Sequence, residues 1–352
     1  MDIRQIDKNF LQNGTVPENS VFYGVNEPPF SLHGIFYDHE EGRFLRMPQE
    51  IALGVSEGVA YLNRHTSGGR VRFSTDLPWL SLAAQYGILE KMAHMPLSGS
   101  CGFALCENTE QGEIFLTSLF LGFTEEKGFV RTVPLPGKGM RNYTIYFPLY
   151  NEVQDVLLGF AEGSKIGAGA KYRPIKPILY YGSSITQGGC ASRADTDYQG
   201  FICKRNNVDF INLGFSGNAK AEESMADYLG GIDCSIAVID YDHNAPDAKF
   251  LKDTHYRFYL GYRKRRQDVP IVFLSKPNYY RDAAAPERLR IIRETYQKAL
   301  AAGDENVYFI DGRKLFGKEW MNCEVDGCHP TDYGFYRMSL PIGKKIDEIL
   351  GK

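Results

Sequence analysis

The spacing of apolar residues changes character about halfway along the 352-residue chain. Up to about residue 170 the period is mostly two, as in strands that bury one face. Arg70-Val71-Arg72-Phe73-Ser74-Thr75 alternates, directly after Ser67-Gly68-Gly69, which suits a tight hairpin turn. Phe103-Ala104-Leu105 and Ile114-Phe115-Leu116 flank residues 107–112 and predict a second hairpin. Tyr143-Thr144-Ile145-Tyr146-Phe147 predicts a further strand, closed by Pro148. Short strands divided by turn residues, with no long helical pattern, predict a β-sandwich of jelly-roll type over residues 1–170.

From about Lys171, apolar runs at 177–181, 208–213, 235–241, 270–274 and 307–310 read as strands. Between and after them, residues 219–229, 286–302 and 333–350 carry helical periodicity. Pro286 suits a first helical turn and Gly303 a stop. Alternating β and α runs predict a parallel sheet covered on both faces. The fold class for residues 171–352 is therefore α/β, a flavodoxin-like three-layer α/β/α domain. Residues 161–176, rich in Gly, Lys and Pro, predict the joint between the two domains.

The first of these runs breaks at Gly182-Ser183-Ser184-Ile185-Thr186-Gln187-Gly188-Gly189. A strand ending in a glycine and two serines sets a hydroxyl at the carboxyl edge of the sheet, where α/β sheets bind ligands. Three more blocks follow strand ends or precede a helix: Asn212-Leu213-Gly214-Phe215-Ser216-Gly217-Asn218, Asp240-Tyr241-Asp242-His243-Asn244-Ala245-Pro246, and Asp326-Gly327-Cys328-His329-Pro330. Sheet topology brings all four to one edge. A lone Gly-Ser-Ser is more often a helix cap, and a lone Gly217 a turn residue; the ordered set of four points to chemistry.

Together the blocks resemble those of the SGNH (GDSL) hydrolase superfamily, over residues 175–350. The resemblance implies Ser184 as nucleophile, His329 as base and Asp326 as its orienting carboxylate. It implies an oxyanion hole from the Ser184 and Gly217 amides and the Asn244 side chain. The residue types suit that chemistry. A serine hydroxyl attacks well only when a base takes its proton. Histidine can do so and then protonate the leaving alcohol, while a carboxylate fixes the useful tautomer. Pro330 pushes His329 out of helical angles, so the last helix should begin near Thr331 or Asp332. His243 is expected at the mouth of the cleft and Trp320 at its flank, both as substrate contacts, with Asp242 and Asp247 solvating the loop.

Composition narrows the setting. Hydrophobic content of 43% and charge of 24% fit a globular protein, and a net charge of −3 gives no reason to expect a nucleic-acid or anionic-membrane partner. Residues 114–123 form the longest apolar stretch, too short for a spanning helix. Met1-Asp2-Ile3-Arg4 is followed by no apolar signal region, so the cytoplasm is favoured unless the chain has been trimmed. Seven scattered cysteines argue for reduced thiols and against zinc, with Cys323 and Cys328 the pair open to bridging. No P-loop or dinucleotide fingerprint is present, and no histidine pair has metal-binding spacing, so no cofactor and no metal are expected.

A sandwich ahead of such a hydrolase domain is similar in layout to carbohydrate esterases that remove acetyl groups from plant polysaccharides. The resemblance therefore implies an acetylated xylan or mannan oligosaccharide as substrate and leaves oligomer formation open. A lipid or thioester acyl hydrolase and a non-catalytic glycan-binding protein are the alternatives. Trp79, Tyr86, Phe30 and Tyr37 are aromatic candidates for sugar stacking, although core burial is the commoner fate of such residues.

Overall fold

The computed structural model describes residues 15–351; the opening residues 1–4, read above for an export signal, lie outside them. In the second half, five parallel strands form one sheet. In chain order they are Ile178–Gly182, Phe210–Gly214, Ile236–Asp240, Ile271–Leu274 and Val307–Ile310. The second strand lies outside the first, and the third, fourth and fifth follow on its other side. Gly182 is in register with both Gly214 and Asp240, so the turns leaving the first three strands emerge side by side.

Helices cover both faces of this sheet, which explains why its strands read as unbroken apolar runs. Met225, Leu251 and Ile291, from the helices Glu223–Gly231, Ala248–Arg265 and Ala285–Ala301, pack on one face. Tyr198, Ile202, Phe335 and Ile342, from Tyr198–Asn206 and Asp332–Ile349, pack on the other. The helix expected from residue 219 starts only at Glu223, because Ala221 takes a left-handed φ of 57° that a helix cannot continue through. Among the described residues no helix is long and apolar enough to cross a membrane.

The first half holds two antiparallel sheets. One orders Ser20–Gly24, Val153–Ala161, Trp79–Tyr86 and Gly128–Pro134. The other orders Ile166–Ala168, Arg70–Thr75, Arg141–Tyr146, Phe103–Thr109 and Gly112–Leu119, with Ser31–His33 also on Arg70–Thr75. Their inner faces share one core that includes Phe73, Leu82, Phe103, Tyr143 and Phe160. Phe30 and Tyr86 are buried in that core; Trp79 and Tyr37 are half-buried.

Two expectations are corrected here. Ser67-Gly68-Gly69 turns no hairpin, since Arg70–Thr75 pairs with Arg141–Tyr146, Ile166–Ala168 and Ser31–His33. Gly68 instead docks on the parallel sheet: a Cβ there would sit 2.6 Å from the Cβ of Asn212. Residues 161–176 are more than a joint, because Ile166–Ala168 is an edge strand of the sandwich. The first half also contains short helices, Gln49–Val55, Glu57–Asn63 and Leu97–Ser100, among its described residues. Ala52, Val59 and Leu62 from them, with Met47, join the same core as Leu213, Phe215 and Met225. All seven cysteines are free thiols, Cys323 and Cys328 included.

Buried arginines tie the halves together. The Arg46 guanidinium donates to the carbonyls of Asn212 at 3.2 Å, Gly214 at 2.6 Å and Leu62, and lies 4.6 Å from the centre of the Phe215 ring. Arg70 donates to the Phe210 carbonyl at 3.0 Å and to Asp209, over the face of Phe210. Beneath the first turn, the Thr186 hydroxyl meets Oδ2 of buried Asp240 at 3.1 Å, and the Tyr198 hydroxyl reaches Thr186 at 3.3 Å. Burial pushes the Asp240 carboxyl up to about 8 against those hydrogen bonds, helped by the neighbouring Asp242 charge.

Two outcomes follow from these contacts. Arg46→Met leaves buried carbonyls without donors and is expected to cost about 3 kcal/mol or more, read as a lower urea midpoint. For Asp240 the folded-state value lies above that of an unfolded aspartate near 4, so its protonated form stabilises the fold at low pH. That stability is lost as pH rises from about 4 through about 8. Asp240→Asn, which holds the neutral form, should lose less stability across that window than wild type in denaturation series at fixed pH.

Candidate active site

The turn after the first parallel strand closes only because its corner is glycine. A Cβ on Gly182 would lie 2.1 Å from Thr186 Oγ1 and 2.4 Å from the Asp240 carbonyl oxygen. Ser183 caps the one-turn helix Ser184–Gln187, its Oγ accepting the Ile185 N–H at 3.2 Å. The cap role thus falls to Ser183, and the Ser184 hydroxyl is free to face the cleft.

His329 Nε2 lies 2.9 Å from Ser184 Oγ, across 145 positions of sequence. Its Nδ1 lies 2.7 Å from Asp326 Oδ2, while Asp326 Oδ1 accepts the Cys328 and His329 amides at 3.0 and 2.8 Å. Burial alone would raise the Asp326 carboxyl, but the His329 amide and imidazole and the Cys328 amide outweigh it and hold it down at about 2. An ionised Asp326 accepts only, so Nδ1 carries the proton and Nε2 presents its lone pair to the Ser184 hydroxyl. The loop is closed by Val325 N–H on the His329 carbonyl at 2.8 Å and by Gly327 at a φ of 83°. The next helix begins at Asp332, capped by Thr331.

The Ser184 and Gly217 amides carry no hydrogen bond to another described residue. Gly217 has a φ of 69°, which side-chain-bearing residues rarely adopt. Asn244 Nδ2 donates to the Phe215 carbonyl at 2.8 Å, which turns the amide toward the Gly217 loop and leaves a second N–H for a ligand. Asp242 does not solvate this loop. It is buried, its Oδ1 accepting from Arg288 Nε at 2.8 Å and its Oδ2 from the Lys276 amide at 2.9 Å. Arg288 also donates to the Ala245 carbonyl at 2.9 Å, so the ion pair pins the turn that carries His243 and Asn244. Asp247 caps the helix Ala248–Arg265 by accepting the Phe250 N–H at 2.7 Å.

His243 Nδ1 sits 3.9 Å from Cys328 Sγ, beside the His329 loop. Its Nε2 is buried with no hydrogen-bond partner among the described residues. Burial, aided by the charge of Lys276, pushes the His243 imidazole down to about 3, so it is neutral. Trp320 is half-buried, its ring centre 5.5 Å from that of exposed Tyr280 and 5.4 Å from the Arg281 guanidinium. Arg281 pairs with Glu324, and Asn278 Nδ2 reaches the Gly327 carbonyl at 3.4 Å, so this aromatic group borders the His329 loop.

Other residues at the site were not singled out by the sequence reading. Gln187 Oε1 accepts the Ser216 N–H at 2.9 Å, and its Nε2 meets His65 Nδ1 at 3.1 Å. Ser67 donates to the Gln187 carbonyl at 2.6 Å, and the Tyr150 hydroxyl reaches the Ser184 carbonyl at 3.4 Å. Although no metal was expected, ligand atoms of His94, Cys190, Asp326 and His329 lie within 4.8 Å of one another in the fold. These come from three distant segments, so linear spacing carried no sign of them. Cys190 holds a φ of 73°, and burial, with Asp326 and Cys328 nearby, pushes its thiol up to about 12.

The chain matches the GDSL-like lipase/acylhydrolase family over residues 175–347, and the N-terminus of the SGNH-hydrolase type of esterase over residues 20–166. Comparison with curated proteins gives no match. Among solved structures, a GDSL-like lipase from Bacteroides ovatus is 24% identical, with 95% of this chain and 98% of that one covered and a TM-score of 0.85. The salicylyl-acyltransferase SsfX3 from a tetracycline biosynthetic pathway is 16% identical, with 95% and 98% covered and a TM-score of 0.77. An acetyl xylan esterase from the rumen bacterium Butyrivibrio proteoclasticus is 12% identical, with 96% and 99% covered and a TM-score of 0.59. At such identities these structures share the fold. The two family matches run in the same order as the antiparallel and parallel sheets, and the chain belongs to the SGNH (GDSL) hydrolase superfamily, in its two-domain form with a sheet-rich N-terminal domain.

Proposed function

We propose that the protein is a serine esterase that removes small acyl groups, acetyl first among them, from carbohydrates. The observation that carries this reading is the 2.9 Å approach of His329 Nε2 to Ser184 Oγ, with Asp326 behind the imidazole at 2.7 Å. His329 takes the Ser184 proton as the oxygen attacks the ester carbonyl. Asp326 stabilises the imidazolium that forms. The developing oxyanion accepts from the Ser184 and Gly217 amides and the Asn244 side chain. His329 then gives its proton to the leaving sugar hydroxyl, and the acyl group stays on Ser184. Water, deprotonated by the same imidazole, releases the acid and restores the serine.

Two further features support a carbohydrate ester. Trp320 and Tyr280 offer aromatic faces beside the His329 loop, as sugar rings require. His243, half-buried and neutral, stands beside the same loop, its Nδ1 3.9 Å from Cys328 Sγ. An acetyl xylan esterase with this fold over nearly the whole chain agrees in substrate class. The acyltransferase of the same fold uses an acceptor other than water, so the fate of the acyl group is measured directly.

Acetylated xylo- and manno-oligosaccharides incubated with wild type should lose acetyl units by mass spectrometry and release free acetate, and Ser184→Ala should leave them intact. Intact oligosaccharides with both proteins would overturn the carbohydrate assignment, and acetate appearing on an added sugar would replace hydrolysis by transfer. Among p-nitrophenyl esters, acetate should turn over faster than decanoate; the reverse order would favour a lipid substrate. Asn244→Ala should slow p-nitrophenyl acetate turnover roughly a hundredfold or more while its circular dichroism stays unchanged. Near-normal turnover would remove Asn244 from the oxyanion hole.

A further inference from the structure

We propose that His94, Cys190, Asp326 and His329 form a zinc-binding site, and that zinc bound there switches the hydrolase off. The inhibitory effect rests on the esterase reading above; the binding itself does not. The four ligand atoms lie within 4.8 Å of one another. Ligands around a tetrahedral zinc stand about 3.3–3.7 Å apart, from metal–ligand distances near 2.0–2.3 Å. Side-chain rotations of about an ångström therefore bring this set to coordination geometry. A thiolate and two imidazoles select zinc over magnesium or calcium, which prefer sets made of oxygen alone.

The arrangement suits reversible capture. His94 comes from the sandwich domain, is exposed, and makes no hydrogen bond to another described residue, so its ring can turn. It already lies 6.1 Å from the His329 ring, centre to centre. Asp326 is also exposed, which leaves the site open to ions from solvent, while Cys190 is buried beneath them. Cys190 keeps its side chain in a left-handed backbone conformation that glycine would adopt without strain, directly after two glycines. On binding, a Zn–S bond forms, the thiol proton leaves to solvent, and no electron is transferred. Zinc on His329 Nε2 blocks the lone pair that receives the Ser184 proton; zinc on Nδ1 displaces the proton shared with Asp326. Either way the serine loses its base.

The test titrates cobalt(II) chloride and then zinc chloride into the EDTA-treated full chain. Cobalt should produce a near-ultraviolet thiolate-to-metal band and visible bands of tetrahedral intensity, both displaced by zinc. Cys190→Ser should remove the thiolate band, and His94→Ala, an exposed position that the fold does not need, should weaken binding at least tenfold. With p-nitrophenyl acetate, zinc should inhibit wild type and EDTA should restore it. Both variants should keep their turnover and need at least tenfold more zinc for the same inhibition. Absence of the thiolate band in wild type, or equal zinc sensitivity in wild type and His94→Ala, overturns the proposal. A cobalt spectrum on a protein that hydrolyses no ester upholds the binding site and removes the esterase reading.

Discussion

The Gln187 side chain is the constraint through which the two halves of the molecule reach the reacting serine. It is fully buried and ends the single helical turn that Ser184 begins. One end of its amide accepts from Ser216, in the turn that carries Gly217; the other faces His65 of the first domain. Its backbone carbonyl is held by Ser67, again from the first domain. Each of these buried groups, left unpaired, would cost about 1–3 kcal/mol. The serine turn, the oxyanion loop and the sandwich therefore share one arrangement, and a shift in any one of them is felt by the others.

This gives the first domain a role in the site that its aromatic content did not suggest. Phe30 and Tyr86 are occupied in its core. What it presents to the hydrolase is a set of buried arginines and a glycine turn, with Arg46 and Arg70 reaching strand carbonyls of the parallel sheet. Its helices Gln49–Val55 and Glu57–Asn63 add side chains to the core on one face of that sheet. Backbone carbonyls at strand ends need donors when covered, and a long guanidinium with several N–H groups supplies them from a neighbouring domain.

Electrostatics at the sheet edge separates groups of the same chemistry. Asp326, supported by two amides and an imidazole, stays ionised, whereas Asp240, buried with hydroxyl partners, is driven toward its neutral form. Asp242 is buried too, yet it is matched by Arg288 and serves as an anchor for the Asn244 turn. His243 is held neutral beside His329, so an unpaired imidazolium next to the base is avoided. The environment of each group, more than its residue type, assigns its part in the chemistry.

Much of this was legible in the linear chain. Alternation of apolar runs with helical periods, and the four blocks at strand ends, reflect interactions within a few residues and a sheet topology with few solutions. It was the resemblance of those blocks to the SGNH (GDSL) hydrolases that named Ser184, Gly217, Asn244, Asp326 and His329. The rest depended on partners far apart in sequence. His65 meets Gln187 across 122 positions, and Arg288 meets Asp242 across 46. The helices between residues 49 and 63 bury their faces against a sheet that begins more than a hundred residues later. Ser67-Gly68-Gly69, which resembles a hairpin turn, is shaped by the close approach of Asn212 to Gly68. His94 and Cys190 gather around His329 without any spacing to betray them. Local periodicity records what a segment does with its own neighbours; which distant group satisfies a buried charge, amide or carbonyl is settled only when the sheets pack.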